Sequence, residues 1–243
     1  MMSHALIDML ILKAPHLVEA PADHPKGIGV IFDMDGVLVN SEEAHFMSWQ
    51  QALRKCGVVD FQEDEYFEYV GHAAAYNAQA LAARYAVGAS TAILHAKTEH
   101  YNELHQRGLP PVEGVVAFVQ ALSTMKQSHS IKLGVASSAK RHDILFTLKK
   151  IGLNDAFDVV VSGADDLASY HDPEGTNKPK PYVYLEAARQ LGLPPARCIA
   201  FEDSSIGVAA AAAAGVYTYA VPHKYTCRHD FSKANRVLPS FLA

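Results

Sequence analysis

Gly29-Val30-Ile31-Phe32-Asp33-Met34-Asp35-Gly36-Val37-Leu38-Val39-Asn40-Ser41 begins as an apolar run and breaks into two aspartates and a glycine. The continuous run Val30, Ile31, Phe32, bounded by glycine, predicts a short strand covered on both faces, as in a parallel sheet. Asp33 and Asp35 fall where that strand ends. Their spacing of two turns both side chains to the same side of an extended chain. Gly36 allows a turn there that a Cβ hinders. Two carboxylates at the end of a buried strand are costly to desolvate together, and they demand a cation, a shared proton, or both. The stretch therefore predicts a metal-assisted site.

Working outward, Ser41 is placed to cap a helix, with Glu42 and Glu43 in its first turn and Gly57 at its end. Residues 61–107 then read as helix almost throughout, in segments 61–70, 73–85 and 91–107 divided at Gly71 and Gly88. From residue 110 helices and strands alternate. Strands are expected over 131–136, 157–161, 198–201 and 216–221, with helices over 114–125, 142–151, 182–191 and 206–214. Such alternation implies right-handed βαβ crossovers and a parallel sheet. The expected architecture is α/β: a Rossmann-like core from 26–41 and 110–243, an all-helical insertion at 42–109, and an N-terminal extension at 1–25. The alanine run at 209–214 predicts close packing of a helix on the sheet. In sheets of this kind ligands bind beyond the carboxyl ends of the strands. Asp33, Asp35, Ser137, Glu202 and Asp203 all fall at predicted strand ends, so they are candidates for one site.

Composition narrows the class of partner. A net charge of −5 and a pI near 6.2 lack the basic footprint of a nucleic-acid binder. Lys224, Arg228, Lys233 and Arg236 are interrupted by aspartate and histidine and read as solvated surface. The three cysteines, Cys56, Cys198 and Cys227, have no metal-like spacing, and reduced thiols in a cytoplasmic protein are expected. Cys198, inside an apolar run, is expected in the core. The apolar stretch at 5–12 is short, lacks a basic lead and does not read as a secretory signal. The uncharged run at 204–223 contains Gly207, Gly215 and Pro222 and does not read as a membrane span. A membrane partner is therefore not expected, and the sequence is silent on oligomeric state.

The candidate groups suit phosphoryl chemistry. A carboxylate such as Asp33 can attack phosphorus to give an aspartyl-phosphate. A single like-charge pair at 4 Å costs about 4 kcal/mol at an effective dielectric near 20, so the reaction needs cations. Mg²⁺ takes carboxylates, carbonyls and water in octahedral array, and Glu202 and Asp203 offer further oxygens. Lys178 can neutralise phosphoryl oxygens; Ser137 and Ser138, with nearby N–H groups, can bind them. Asp35 can protonate a leaving group and later deprotonate water.

These residues also carry a family resemblance. Asp33-Met34-Asp35-Gly36-Val37-Leu38-Val39 closely resembles the first motif of the haloacid dehalogenase superfamily, in its phosphatase and phosphomutase branch. Ser137 matches the second motif, Lys178-Pro179-Lys180-Pro181 the lysine motif, and Glu202-Asp203-Ser204 with Gly207 the acidic fourth. The resemblance implies Asp33 as nucleophile, Asp35 as acid/base and Lys178 as charge clamp. It implies Mg²⁺ on Asp33, the Asp35 backbone carbonyl and Asp203, with Glu202 in or beside the ligand set. The helical block becomes a cap, and the substrate a small phosphate ester.

The chain is similar above all to the β-phosphoglucomutase-like subgroup, whose His and Trp on the first cap helix are matched by His45 and Trp49. His45 reads as a substrate contact, a proton partner for Asp35 or a hinge residue, and Trp49 as packing. The cap arginine of the mutases is replaced by His72-Ala73-Ala74-Ala75 after Gly71, and no cap lysine stands near residues 101–103. Without such a cationic grip, hydrolysis of a sugar-type monophosphate is expected over mutase chemistry, which is the runner-up. A silent binding protein on the same scaffold is a third reading. Tyr182 replaces the aspartate of the lysine motif, and the 169–177 loop is long, which leaves the setting of Lys178 open. His100, His105 and His223 read as surface residues.

Overall fold

The computed structural model describes residues 27–242. The expectations for the extension at 1–25, including the apolar stretch at 5–12, lie outside the described residues. The described chain divides into two compact units: residues 27–39 with 111–242, and Asn40–Pro110.

The first unit is a six-stranded parallel sheet. Its strands are β1 (Ile28–Phe32), β2 (Ile131–Ser137), β3 (Val159–Ser162), β4 (Cys198–Glu202), β5 (Tyr217–Ala220) and β6 (Arg236–Val237), in the order β3-β2-β1-β4-β5-β6. Every residue of β1 and β4 is buried, as strands covered on both faces require. Side chains alternate across β1. Ile31 packs with Val183, Ala187, Ala210 and Ala211 on one face. Phe32 meets Phe118, Phe201 and Phe241 on the other, at ring-centroid distances of 6.1, 5.1 and 6.5 Å. Ala210 and Ala211 are fully buried, as the alanine run predicts, and Cys198 is fully buried too. That burial pushes the Cys198 thiol up to about 12. Strand order reverses between β1 and β4, the switch point at which such sheets bind ligands.

The second unit is helical: α1 (Glu42–Lys55), a short α2 (Glu63–Tyr66), α3 (Ala74–Tyr85) and α4 (Ser90–Arg107). Helix α4 packs along both α1 and α3. Two local expectations are corrected here. Ser41 precedes α1 but makes no side-chain cap. It sits in the αR region and is fully buried, so its hydroxyl does not turn back onto the helix N–H groups. The segment 61–70 holds a single turn of helix rather than a full one. Phe61 takes Tyr66, Tyr69 and Tyr85 around its ring at 6.3–6.5 Å, and this packing outweighs local helix preference.

Candidate active site

The site is built where β1 and β4 end side by side. Phe32 is in register with Phe201, and the Asp33 N–H donates to the Phe201 carbonyl at 3.1 Å. Asp33 and Asp203 thus leave neighbouring strands at the same end of the sheet. After Asp33 the chain turns tightly: the Met34 carbonyl accepts from the N–H groups of Val37, Leu38 and Val39. Asp35 lies in this turn, partly exposed, bridged to Val39. Gly36 has φ +74°, and a Cβ there would run into the Asp203 carboxylate. The glycine therefore provides space as well as the turn.

Lys178 joins the two strand ends. Its Nζ donates to Asp33 Oδ1 at 2.8 Å, Glu202 Oε1 at 2.6 Å and the Ala136 carbonyl at 3.2 Å. Tyr184, on the helix Tyr182–Leu191, donates its hydroxyl to the same Glu202 oxygen at 2.5 Å. Oxygens of Asp33, Glu202 and Asp203 lie within 4.8 Å of one another, and all three residues are buried. Burial raises Asp33 well above its usual carboxylate range, against the pull of Lys178, and the neighbouring carboxylates push the same way. Burial alone would lower Lys178, but Asp33 and Glu202 outweigh it and hold the ammonium above its ordinary value. Burial and the charge on Glu202 raise the Tyr184 phenol, so it stays a donor.

The long loop leaves Lys178 in place. Tyr182 donates to Asp172 Oδ2 at 3.0 Å, and Lys180 pairs with Asp172 and Glu174, so the departures from the motif tie the loop to its own helix. Ser137 is fully buried at the end of β2, and its Oγ accepts from the Ala139 N–H at 3.1 Å. Ser138, next to it, is exposed. Neither caps the following helix (Arg141–Lys150): its opening Arg141 N–H is taken by Asp165 Oδ2 at 2.7 Å. Gly207 stands in the first turn of the helix after β4 (Ser205–Ala213), where a Cβ would overlap the Glu202 carboxylate. Ser204 caps that helix, accepting from the Gly207 N–H at 3.1 Å.

His45, on α1, belongs to the helical unit and takes part in a cluster of its own. Its Nδ1 lies 2.9 Å from Lys97 Nζ, and its ring stacks on Tyr101 at 4.1 Å. Burial, and then the Lys97 charge, lower the His45 imidazole well below its ordinary value. Lys97 is only 6% exposed and lies over the Trp49 and Tyr101 rings, at 5.5 and 4.7 Å from their centroids. A cavity of about 280 Å³ is lined by His45, Trp49, Tyr69, His72, Asn77 and Lys97 among others. The helical unit therefore does hold a buried lysine, Lys97, although none stands at 101–103. Lys97 stands one helical turn before Tyr101 on α4. Three histidines also need correction. His105 is buried beside Tyr101, and His100 lies 3.2 Å from Ser48 Oγ. His223 Nε2 is 2.9 Å from Asp203 Oδ2. Sequence reasoning missed Tyr184 and His223; the one signal for His223 was its place just after β5, at the sheet end that carries Asp203.

A lysine held between carboxylates from two neighbouring parallel strands thus stands at the switch point of a Rossmann-ordered sheet. The chain belongs to the haloacid dehalogenase-like hydrolases, whose family model matches residues 30–221. It is 32% identical over 224 residues to protein CbbY of Rhodobacter capsulatus, covering 88% of this chain and 93% of the relative. It is 30% identical over 200 residues to a phosphorylated carbohydrates phosphatase of Thermotoga maritima, covering 80% and 85%. Among solved structures, a CbbY mutant from Rhodobacter sphaeroides in complex with xylulose-(1,5)bisphosphate superposes with a TM-score of 0.68 at 26% identity, covering 88% of this chain and 94% of that one.

Proposed function

We propose that this protein is a Mg²⁺-dependent phosphatase that hydrolyses a small, sugar-type phosphomonoester through an aspartyl-phosphate on Asp33. One observation carries the reading: Lys178 bridges Asp33 and Glu202, with Asp203 in the same buried cluster. With all three carboxylates ionised, the lysine leaves a surplus of two negative charges, and every donor is a hard oxygen. That set fits a divalent oxygen-seeking cation such as Mg²⁺, held by Asp33, Asp203 and the Asp35 backbone carbonyl with Glu202 beside them. When bound, Mg²⁺ supplies the charge that lets the phosphate and the Asp33 carboxylate approach.

The side chains then divide the work. An Asp33 carboxylate oxygen attacks phosphorus, and the bond from phosphorus to the leaving oxygen breaks. Asp35 gives that oxygen a proton. Asp35 then takes a proton from water, which attacks phosphorus; the bond to Asp33 breaks and frees both phosphate and the nucleophile. Lys178 neutralises charge on the phosphoryl oxygens, with Ser137, Ser138 and backbone N–H groups as further donors. Within the helical unit, the cavity beside Lys97, His45 and Asn77 offers groups that can hydrogen-bond hydroxyls. Relatives that act on phosphorylated carbohydrates support a sugar-type ester.

Lys97 also favours a second reading, a phosphosugar mutase, because a buried cation can retain a second phosphate. Incubation with a panel of phosphate esters and Mg²⁺, including hexose 1-phosphates, separates the two. Free phosphate with a loss of signal in Asp33→Asn is expected. Hexose 6-phosphate without free phosphate would identify a mutase, and unchanged turnover in Asp33→Asn would remove Asp33 as nucleophile.

A further inference from the structure

We infer that His223 is a positioning residue for the metal site, fixing the Asp203 carboxylate through a neutral imidazole whose proton lies on Nε2. The inference rests on the reading of Asp203 as a metal ligand. His223 follows β5, whose register on β4 continues as the Val221 N–H donates to the Glu202 carbonyl at 2.6 Å. Two residues later the ring reaches back to Asp203 Oδ2, 2.9 Å from Nε2.

The tautomer follows from the other ring nitrogen. The Tyr225 N–H donates to Nδ1 at 3.2 Å, so Nδ1 is an acceptor and carries no proton. A doubly protonated ring would set two N–H groups against each other at that contact. The proton therefore lies on Nε2 and points at the carboxylate. The backbone of His223 is itself held. Its N–H donates to Thr226 Oγ1 at 3.2 Å, and its carbonyl accepts from the Thr226 N–H at 3.0 Å. Thr226 and Tyr225 are buried, and the Tyr225 ring lies edge-on to the imidazole at 6.1 Å.

Gly36 completes the arrangement from the other side. A Cβ there would lie 2.8 Å from His223 Nε2 as well as overlapping Asp203, so the glycine of the first motif clears room for this pair. A carboxylate that must bind a cation benefits from one fixed rotamer, because the cation then does not have to order it. A neutral donor supplies that order without placing a second positive charge beside the ion.

The test uses the full chain and MgCl₂ alone in titration calorimetry, comparing wild type with His223→Leu, His223→Gln and His223→Asn. The Gln amide carries an N–H to the reach of Nε2, whereas the Asn amide reaches only the Nδ1 position. Leu and Asn are expected to weaken Mg²⁺ binding by about 10- to 100-fold, and Gln to stay within about threefold of wild type. If the Leu variant fails to fold, the Asn and Gln pair carries the comparison. Nitrogen-15 spectra of the metal-free protein should show the ring proton on Nε2. Leu and Asn affinities equal to wild type, Gln as weak as Asn, or a proton on Nδ1 would each overturn the inference. Wild type that binds Mg²⁺ but cleaves no phosphate ester would sink the phosphatase reading and leave His223's role standing. Wild type that binds no Mg²⁺ would overturn both.

Discussion

A Cβ at position 207 would overlap the Glu202 carboxylate. Two effects of Gly207→Ala oppose each other. Alanine favours the helix by about 1 kcal/mol over glycine. Forcing atoms into a filled site typically costs about 1–3 kcal/mol, and here the atom that must move is a buried carboxylate bonded to Lys178 and Tyr184. The overlap wins. Gly207→Ala is expected to lower turnover at least about tenfold and to destabilise the fold by up to about 2 kcal/mol, read from phosphate release and urea unfolding of the same preparation. Lys178→Met tests the other side of the cluster. It leaves Asp33 and Glu202 buried without their shared cation, which costs about 3 kcal/mol in a buried pair. Unfolding in EDTA should show that loss, and a melting curve matching wild type would refute it. Both residues were visible in the sequence as motif members. Their reasons were not: the space at Gly207 depends on where Glu202 turns, which only the folded strand end fixes.

At the scale of elements, the sheet was far more legible than the helical unit. Strands buried on both faces announce themselves as apolar runs: the expected bounds of β2 and β4 lie within one residue of the observed ones and those of β1 within two. β6, two residues paired at the sheet edge, carries no such run. In the helical unit, ring packing around Phe61 decides the chain path between 61 and 73, and no local pattern records it. The same limit hid Lys97. Its meeting with His45 depends on α1 lying along α4, a contact between residues 52 positions apart. That contact has a measurable consequence. Burial first, and the Lys97 charge second, depress His45 in the folded protein. The unfolded chain therefore takes up a proton near pH 6.5 that the folded chain refuses, so stability is lost as pH falls below that value. The loss should reach up to about 1 kcal/mol by pH 5.5, allowing for the ring's partial exposure. His45→Asn should remove this component, visible as a smaller difference between urea midpoints at pH 7.5 and 5.5. An identical pH slope in both proteins would contradict the depressed imidazole.

At the scale of the whole molecule, the parallel sheet turns sequence distance into proximity. Residues 33, 178 and 203 converge because β1 and β4 are neighbours and end together, and the loop before Tyr182 returns Lys178 to that edge. Convergence of acidic groups has a cost in the metal-free state: Asp33 is raised by burial and by the carboxylates around it. The folded protein alone offers this cluster, so a divalent cation that neutralises it must stabilise the fold by mass action. At a Mg²⁺ concentration of 100 times its dissociation constant, the gain is about 2.7 kcal/mol. Wild type should therefore unfold at higher urea in Mg²⁺ than in EDTA. Asp203→Asn should lose most of that gain while keeping or raising the metal-free midpoint, since its amide keeps the volume of the carboxylate and removes one negative charge. Na⁺ at equal ionic strength should not substitute, because general screening acts on exposed charges and this cluster is buried. Equal midpoints for wild type in Mg²⁺ and EDTA would mean that the carboxylates settle their repulsion by sharing protons rather than by holding a metal.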